Sequence, residues 1–198
     1  MVSRVAGLIR DIFTTNLLGA SIFHDIFVVV LKIPNVFRKL FAEGAFSQAF
    51  IPIYSEYIGS KDEKGSQDFL NALFGILLSA LFIFTTLALL FAPVFILIFA
   101  PGFYFDVQKQ DLAVSLLRIM FPYLALISLV AFAAGIQNSH NKFSIPALTP
   151  LIFNLSLIGS AWLVAPKIDI PVMALAWGVL LAGFLQLLFQ IAPLASIK

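Results

Sequence analysis

Residues 69–99 read FLNALFGILLSALFIFTTLALLFAPVFILIF, and no charged residue occurs between Asp68 and Asp106. About 20 consecutive apolar residues are enough for a helix to cross the hydrocarbon core of a bilayer. This stretch is longer than one membrane-spanning helix needs, and it predicts a helix over about residues 67–99. Pro101 and Gly102 mark its end, because this dipeptide is typical of a turn.

The whole chain shares the character of this stretch. Its 198 residues are 61% hydrophobic and only 11% charged, with a mean hydropathy of +1.04, whereas a soluble domain carries about 25% charged residues. A soluble fold of this length could not hide so much apolar surface, so lipid must cover much of it. The net charge of +2 comes without a basic tract and indicates no nucleic-acid partner. The absence of cysteine excludes disulfides and thiolate chemistry.

The pattern of apolar segments and polar turns predicts an all-α, polytopic membrane protein. About six transmembrane helices form a single lobe over residues 1–198. They cover about residues 4–22, 25–57, 67–99, 109–138, 146–165 and 172–192. The second exceeds the length of one span, so we expect it to tilt, kink or protrude, with Pro34 and Pro52 as the kink points. Such a unit is typical of one lobe of a two-lobe transporter, and we expect the second lobe to be absent from this chain.

The distribution of lysine and arginine between the polar turns predicts the orientation of the helices, because cytoplasmic loops carry an excess of these residues. One side of the predicted bundle has Lys109 and Lys167 in its loops. The other side has more, namely Arg4, Lys61, Lys64, Lys142 and Lys198. We therefore expect a multi-pass protein with both termini in the cytoplasm.

Charged residues within the apolar segments are concentrated in the first third of the chain. They are Arg4, Arg10, Asp11, Asp25, Lys32, Arg38, Lys39 and Glu43. Each costs at least ~2.5–3.5 kcal/mol inside a membrane, so such residues are candidates for function. At about 100° per residue, the charges of the first helix fall within a wedge about 120° wide, and four charges of the second fall within about 40°. Two polar stripes of this kind favour a shared water-filled cavity over contact with lipid.

A plainer interpretation is that these charges lie near helix ends, where long side chains reach the interface or pair for packing. It applies best to Arg4, Asp25 and Lys39. Arg10 lies deeper in its helix, beside Asp11, and we expect no simple pairing of these adjacent residues across a helix turn.

Arg38 lies about 100° or more from the main stripe of its helix and follows the kink expected at Pro34. Arginine suits phosphate and diphosphate groups because its planar fork donates two parallel hydrogen bonds and keeps its charge. Arg10 and Arg38 are therefore the stronger candidates for a functional role.

The remaining motifs indicate packing rather than chemistry. The sequence holds no nucleophile motif, no glycine-rich phosphate loop and no metal-ligand spacing, so we expect neither an enzyme nor a cofactor or metal site. Ala174, Gly178 and Ala182 lie four apart on the last helix and predict close helix packing. Gln186 and Gln190 continue that face, where they either join helices or line a cavity.

Four stretches of the chain carry a family resemblance. Residues 32–52 read KIPNVFRKLFAEGAFSQAFIP, and residues 3–11 read SRVAGLIRD. Residues 118–123 (RIMFPY) and 141–147 (NKFSIPA) extend the pattern. Together these stretches closely resemble the MurJ (MviN) family, bacterial lipid II flippases of the multidrug/oligosaccharidyl-lipid/polysaccharide exporter superfamily. The motifs are long and specific, and the resemblance covers nearly the whole chain.

The resemblance implies a flippase that moves lipid II, the lipid-linked peptidoglycan precursor, from the cytoplasmic to the periplasmic leaflet of the bacterial inner membrane. It implies lipid II, membrane lipids and a C-terminal lobe as partners, and alternating access between the two lobes. Two alternatives stay open. One is an exporter of another lipid-linked glycan or a drug, and the other is a non-transporting membrane assembly factor.

The resemblance also implies roles for the charged residues. In the family, arginines of a central cavity receive the diphosphate, and the matching positions here are Arg4, Arg10 and Arg38. A second group is expected to line the cavity or form its gate. Its members are Asp11, Asp25, Lys32, Lys39 and Glu43.

Overall fold

The structure, a computed structural model, describes residues 2–39, 45–60 and 62–195. Within these ranges the chain is helical and contains no strand. The helices are α1 (Val2–Leu18), α2 (Ile22–Arg38), α3 (Ala45–Ser60), α4 (Glu63–Leu90), α5 (Ala92–Phe99), α6 (Pro101–Tyr104), α7 (Val107–Met120), α8 (Tyr123–Ser139), α9 (Ser144–Gly159) and α10 (Pro171–Ala195). A π-helical turn (Ser160–Val164) and a 3-10 turn (Ala165–Lys167) continue α9.

The prediction of an all-α protein is confirmed, but the predicted number of about six helices is wrong. The described residues form nine helices of eight residues or more, together with the single turn α6. Proline accounts for two of the divisions, because it lacks a backbone N–H and favours the first turn of a new helix. Pro93 lies in the first turn of α5 and divides the predicted helix 67–99. Pro122 separates α7 from α8 within the predicted helix 109–138.

The predicted helix 25–57 corresponds to two helices, α2 and α3. Pro34 lies inside α2 and Pro52 lies inside α3, so neither proline ends its helix. The chain between these helices includes residues 40–44, which lie outside the described residues.

Capping aspartates fix the start of two helices, α4 and α7. The carboxylate of Asp62 accepts a hydrogen bond from the backbone N–H of Gly65 at 2.9 Å, at the start of α4. Asp106 accepts one from the N–H of Lys109 and forms an ion pair with its ammonium group at 2.9 Å. The side-chain hydrogen bond from Lys109 holds the pKa of Asp106 below its usual value. Both caps satisfy N–H groups that a helix leaves without partners.

Four helical segments in the described part of the chain are long and apolar enough to cross a membrane. They are Glu63–Leu90, Val107–Ser139, Ser144–Lys167 and Pro171–Leu194. Large apolar side chains also cover the outside of the bundle; Phe82, for example, is 71% exposed. Such an apolar surface is typical of lipid contact. The chain is therefore a multi-pass membrane protein.

The last helix, α10, packs on both α8 and α9, while α1 packs on α9. A close approach between α10 and the π-helical turn depends on Gly178, because a Cβ atom at that position would meet Ser160 Cβ at 2.8 Å. Ala174 and Ala182 on the same face are buried. The predicted close packing of this small-residue face is confirmed, since only small side chains allow the two backbones to approach.

Candidate functional site

Two cavities lie beside α1 and α2, and Arg10 lines both of them. The larger, which we call the central cavity, has a volume of about 640 Å³ and includes residues of α1, α2, α8, α9 and α10. The smaller, which we call the side cavity, has a volume of about 270 Å³ and is formed mainly by α1 and α2. The central cavity brings together the side chains of Arg10, Arg38 and Lys39.

The Arg10 side chain is held in place from two sides. Its Nη1 donates to Asn154 Oδ1 at 3.1 Å, while Nε and Nη2 donate to Asp11 Oδ1 at 3.0 and 2.6 Å. Arg10 and Asp11 thus pair directly as sequence neighbours and not across a helix turn. Because arginine has a long side chain, its guanidinium can fold back along the helix to its neighbour. These bonds use three of the five guanidinium N–H groups, which leaves two for a ligand.

Asn154 joins the first helix to α9 at this point. It is 5% exposed, and besides accepting from Arg10 its Nδ2 donates to the backbone oxygen of Ser3 at 3.2 Å. The Phe153 ring lies beneath the same guanidinium, 5.9 Å from Cζ to the ring centroid, which is within cation–π range. Sequence reasoning missed Asn154 as a site residue. A buried amide within an apolar helix was the available signal.

The other predicted site residues are divided among several places. Arg38 is half-buried in the wall of the central cavity, Lys39 is exposed there, and Lys32 is exposed in the side cavity with Asp11. Arg4 and Asp25 are exposed, and neither cavity includes them. The prediction for Glu43 lies outside the described residues. Of the three predicted diphosphate ligands, Arg10 and Arg38 share a cavity and Arg4 does not.

The charged side chains in the described lining of the central cavity are all cationic. Its described lining contains Arg10, Arg38 and Lys39 but no aspartate or glutamate. Cations in a confined cleft attract anions, and arginine forks match the oxygen spacing of phosphate groups. Within residues 2–39, 45–60 and 62–195, no group of three or more His, Asp or Glu side chains could hold a metal ion.

Two buried glutamines of α10, Gln186 and Gln190, also line the central cavity. Gln186 donates to the backbone oxygen of Thr149 at 3.0 Å, and Gln190 donates to Thr149 Oγ1 at 2.8 Å. They therefore join α10 to α9 and also line the cavity, so both interpretations of this face hold. Gln186 Oε1 is buried and has no hydrogen-bond partner among the described residues. An unpaired buried acceptor costs about 1–3 kcal/mol.

These features define a multi-pass α-helical membrane protein with a cationic cavity between its helices. A family model described as "Lipid II flippase MurJ" matches residues 14–198. The chain belongs to this family of lipid II flippases.

Curated relatives match along the whole chain, including the segment with Arg10 that precedes the family match. A "Probable lipid II flippase MurJ" of Buchnera aphidicola subsp. Acyrthosiphon pisum is 42% identical over 198 residues, which is all of this chain and 39% of that protein. The "Lipid II flippase MurJ" of Burkholderia cenocepacia is 39% identical over all of this chain and 38% of its own length. A similar protein of Vibrio cholerae is 39% identical over 96% of this chain. The chain thus spans less than half the length of these relatives.

Proposed function

We propose that this chain forms one lobe of a flippase that carries lipid II across the bacterial inner membrane. One observation supports this most directly. Arg10 of α1 and Arg38 of α2 line a single cavity whose described lining has no acidic side chain. A diphosphate offers several anionic oxygens, so two guanidinium forks grip it from different helices. The names of the relatives give the lipid-linked substrate of this proposal.

The other charged residues have supporting roles in this proposal. Asp11 and Asn154 hold the Arg10 guanidinium in position through their hydrogen bonds. Lys39 adds positive charge to the central cavity and Lys32 to the side cavity. Asp25 and Glu43 keep the gate roles that the family resemblance implies. Arg4 stays the third proposed diphosphate ligand.

Transport in this proposal requires binding and a change of access, and no covalent bond of the substrate is broken. The membrane-facing side chains contact lipid, while a second lobe forms the opposite wall of the cavity. Alternating access between the lobes exposes the bound head group first to the cytoplasm and then to the periplasm. The protein therefore acts as a transporter and not as an enzyme.

The 198-residue chain on its own is expected not to flip lipid II. Arg4 and Asp25 are exposed on this lobe, and charged side chains that face lipid are costly. Proteoliposomes containing fluorescent lipid II, with the chain alone or with a second lobe from a relative, measure this directly. Flipping by the chain alone at the rate of the two-lobe protein contradicts the two-lobe proposal.

The lysine and arginine distribution predicts cytoplasmic termini, and the absence of native cysteine makes labelling simple. Ser60 and Asp169 are both exposed and lie at the predicted opposite ends of the bundle. In intact cells, the Asp169→Cys variant is expected to react with a membrane-impermeant thiol reagent. The Ser60→Cys variant is expected to react only after the cells are permeabilised. Strong labelling at Ser60 in intact cells reverses the orientation.

A further inference from the structure

A buried network of side-chain amides connects α8, α9 and α10 beside the central cavity. Gln137 Nε2 donates to Gln190 Oε1, and Gln190 Nε2 donates in turn to Thr149 Oγ1. Gln186 Nε2 donates to the backbone oxygen of Thr149. Each of the three glutamines is at most 2% exposed. This network of hydrogen bonds therefore fixes the orientation of each side-chain amide.

Within this amide network, Gln186 is the residue that lines the central cavity and has an unused side-chain acceptor. Its Oε1 is shielded from water and has no hydrogen-bond partner in the described part of the chain, while the residue lines the central cavity with Arg10 and Arg38. Exchanging the amide oxygen and nitrogen would place a carbonyl against the Thr149 carbonyl, so the assigned orientation is the only one that makes a hydrogen bond. Gln137 Oε1 also lacks a hydrogen-bond partner within residues 2–39, 45–60 and 62–195, but Gln137 lines neither the central nor the side cavity.

The surroundings of Gln186 resemble a ligand site more than a packing defect. Tyr123 and Phe153 line the same cavity, with ring centroids 5.5 Å apart. Binding sites combine apolar and aromatic walls with a few fixed polar groups that set specificity. The nearby arginines disfavour a cationic donor, so a neutral N–H is the donor that matches an amide carbonyl here.

We infer that Gln186 determines specificity at the central cavity by accepting a hydrogen bond from an amide N–H on the group attached to the diphosphate. An N-acetylated sugar offers such a donor in its acetamido group. This inference rests on the proposed function, because Arg10 and Arg38 hold the diphosphate beside which the sugar lies. The diphosphate supplies affinity, and Gln186 selects what is attached to it.

Two synthetic ligands test this assignment on the full protein that carries these residues, reconstituted in nanodiscs. One is a polyprenyl diphosphate bearing N-acetylglucosamine, and the other bears the 2-deoxy sugar, which lacks the acetamido group. The unmodified protein is expected to bind the acetamido ligand at least about 10-fold more tightly, because the deoxy ligand leaves the Gln186 carbonyl buried and unpaired. Gln186→Met is expected to bring the ratio of the two affinities close to one.

Gln137→Met is the matched control, because it breaks a bond in the same amide network at a residue that lines neither cavity. It is expected to keep the 10-fold preference. Equal loss of preference in both variants assigns the effect to packing and overturns the inference. Binding of both ligands by the unmodified protein without preference overturns the role of Gln186 and leaves the flippase proposal standing. Failure to bind either ligand overturns the proposed function and this inference with it.

Discussion

Alanine at Arg10 or at Arg38 is expected to lower lipid II flipping roughly 100-fold in a complete protein that carries this lobe. Each substitution removes charge-assisted hydrogen bonds to the diphosphate, worth about 3 kcal/mol, and 1.4 kcal/mol corresponds to a factor of 10. Lysine at either position is expected to restore only part of the activity, because it keeps the charge but loses the planar fork. The measurement is flipping of fluorescent lipid II in proteoliposomes, normalised to reconstituted protein.

Membrane abundance of the Arg10→Ala protein is expected to stay normal. The carboxylate of Asp11 that it leaves behind is 62% exposed, so water replaces the lost partner. A fully buried acid left without its partner would instead destabilise the fold strongly. Asn154 loses one of its two hydrogen bonds and keeps the one to Ser3.

Arg118→Ala provides the control for these arginine variants. Arg118 is an exposed arginine outside both cavities, and its Nε donates to the backbone oxygen of Leu89 at 3.3 Å. Its alanine variant is expected to flip within about twofold of the unmodified protein, since surface substitutions cost little. Normal flipping by Arg10→Ala and Arg38→Ala removes both residues from the site. Activity that falls only in proportion to abundance assigns them to packing.

The sequence predicted the helical membrane fold because long uncharged segments have few alternatives in a bilayer. It did not predict where those segments divide. Pro34 lies within a helix, whereas Pro93 and Pro122 lie at divisions between helices. The difference depends on which neighbouring helices and side chains satisfy the freed backbone groups, and one-dimensional patterns do not contain that information.

The sequence also predicted only part of the candidate site, because it does not show how the helices pack. Residue spacing gives the direction of a side chain about its own helix axis, but not which other helix covers it. Arg10 and Arg38 line one cavity as expected, while Arg4 and Asp25 do not, although their charges gave a similar signal. The pairing of Arg10 with Asn154 spans 144 positions and depends on α1 packing against α9.

Leucine at Gly178 is expected to reduce membrane abundance and the melting temperature strongly. The new side chain would begin 2.8 Å from Ser160 Cβ, closer still to Ser160 Oγ, and 3.5 Å from Leu157 Cδ2. Overpacking of a close contact costs about 1–3 kcal/mol or more, and here α10 would have to move away from α9 and its π-helical turn. Abundance on immunoblots and thermal unfolding in detergent measure the loss.

Gly75→Leu is the matched control, because it makes the same substitution in the middle of another membrane-spanning helix, α4. No atom of the described residues lies within 4 Å of a Cβ at that position, and Gly75 is exposed. Replacing a helical glycine there is expected to stabilise α4 slightly, by up to about 1 kcal/mol, because glycine is a poor helix former. The changes in stability that the two substitutions cause should therefore have opposite signs. Equal losses of membrane abundance at both positions indicate impaired membrane insertion. A Gly178→Leu protein with normal stability contradicts the close contact between α10 and Ser160, because such a contact leaves no room for a leucine side chain.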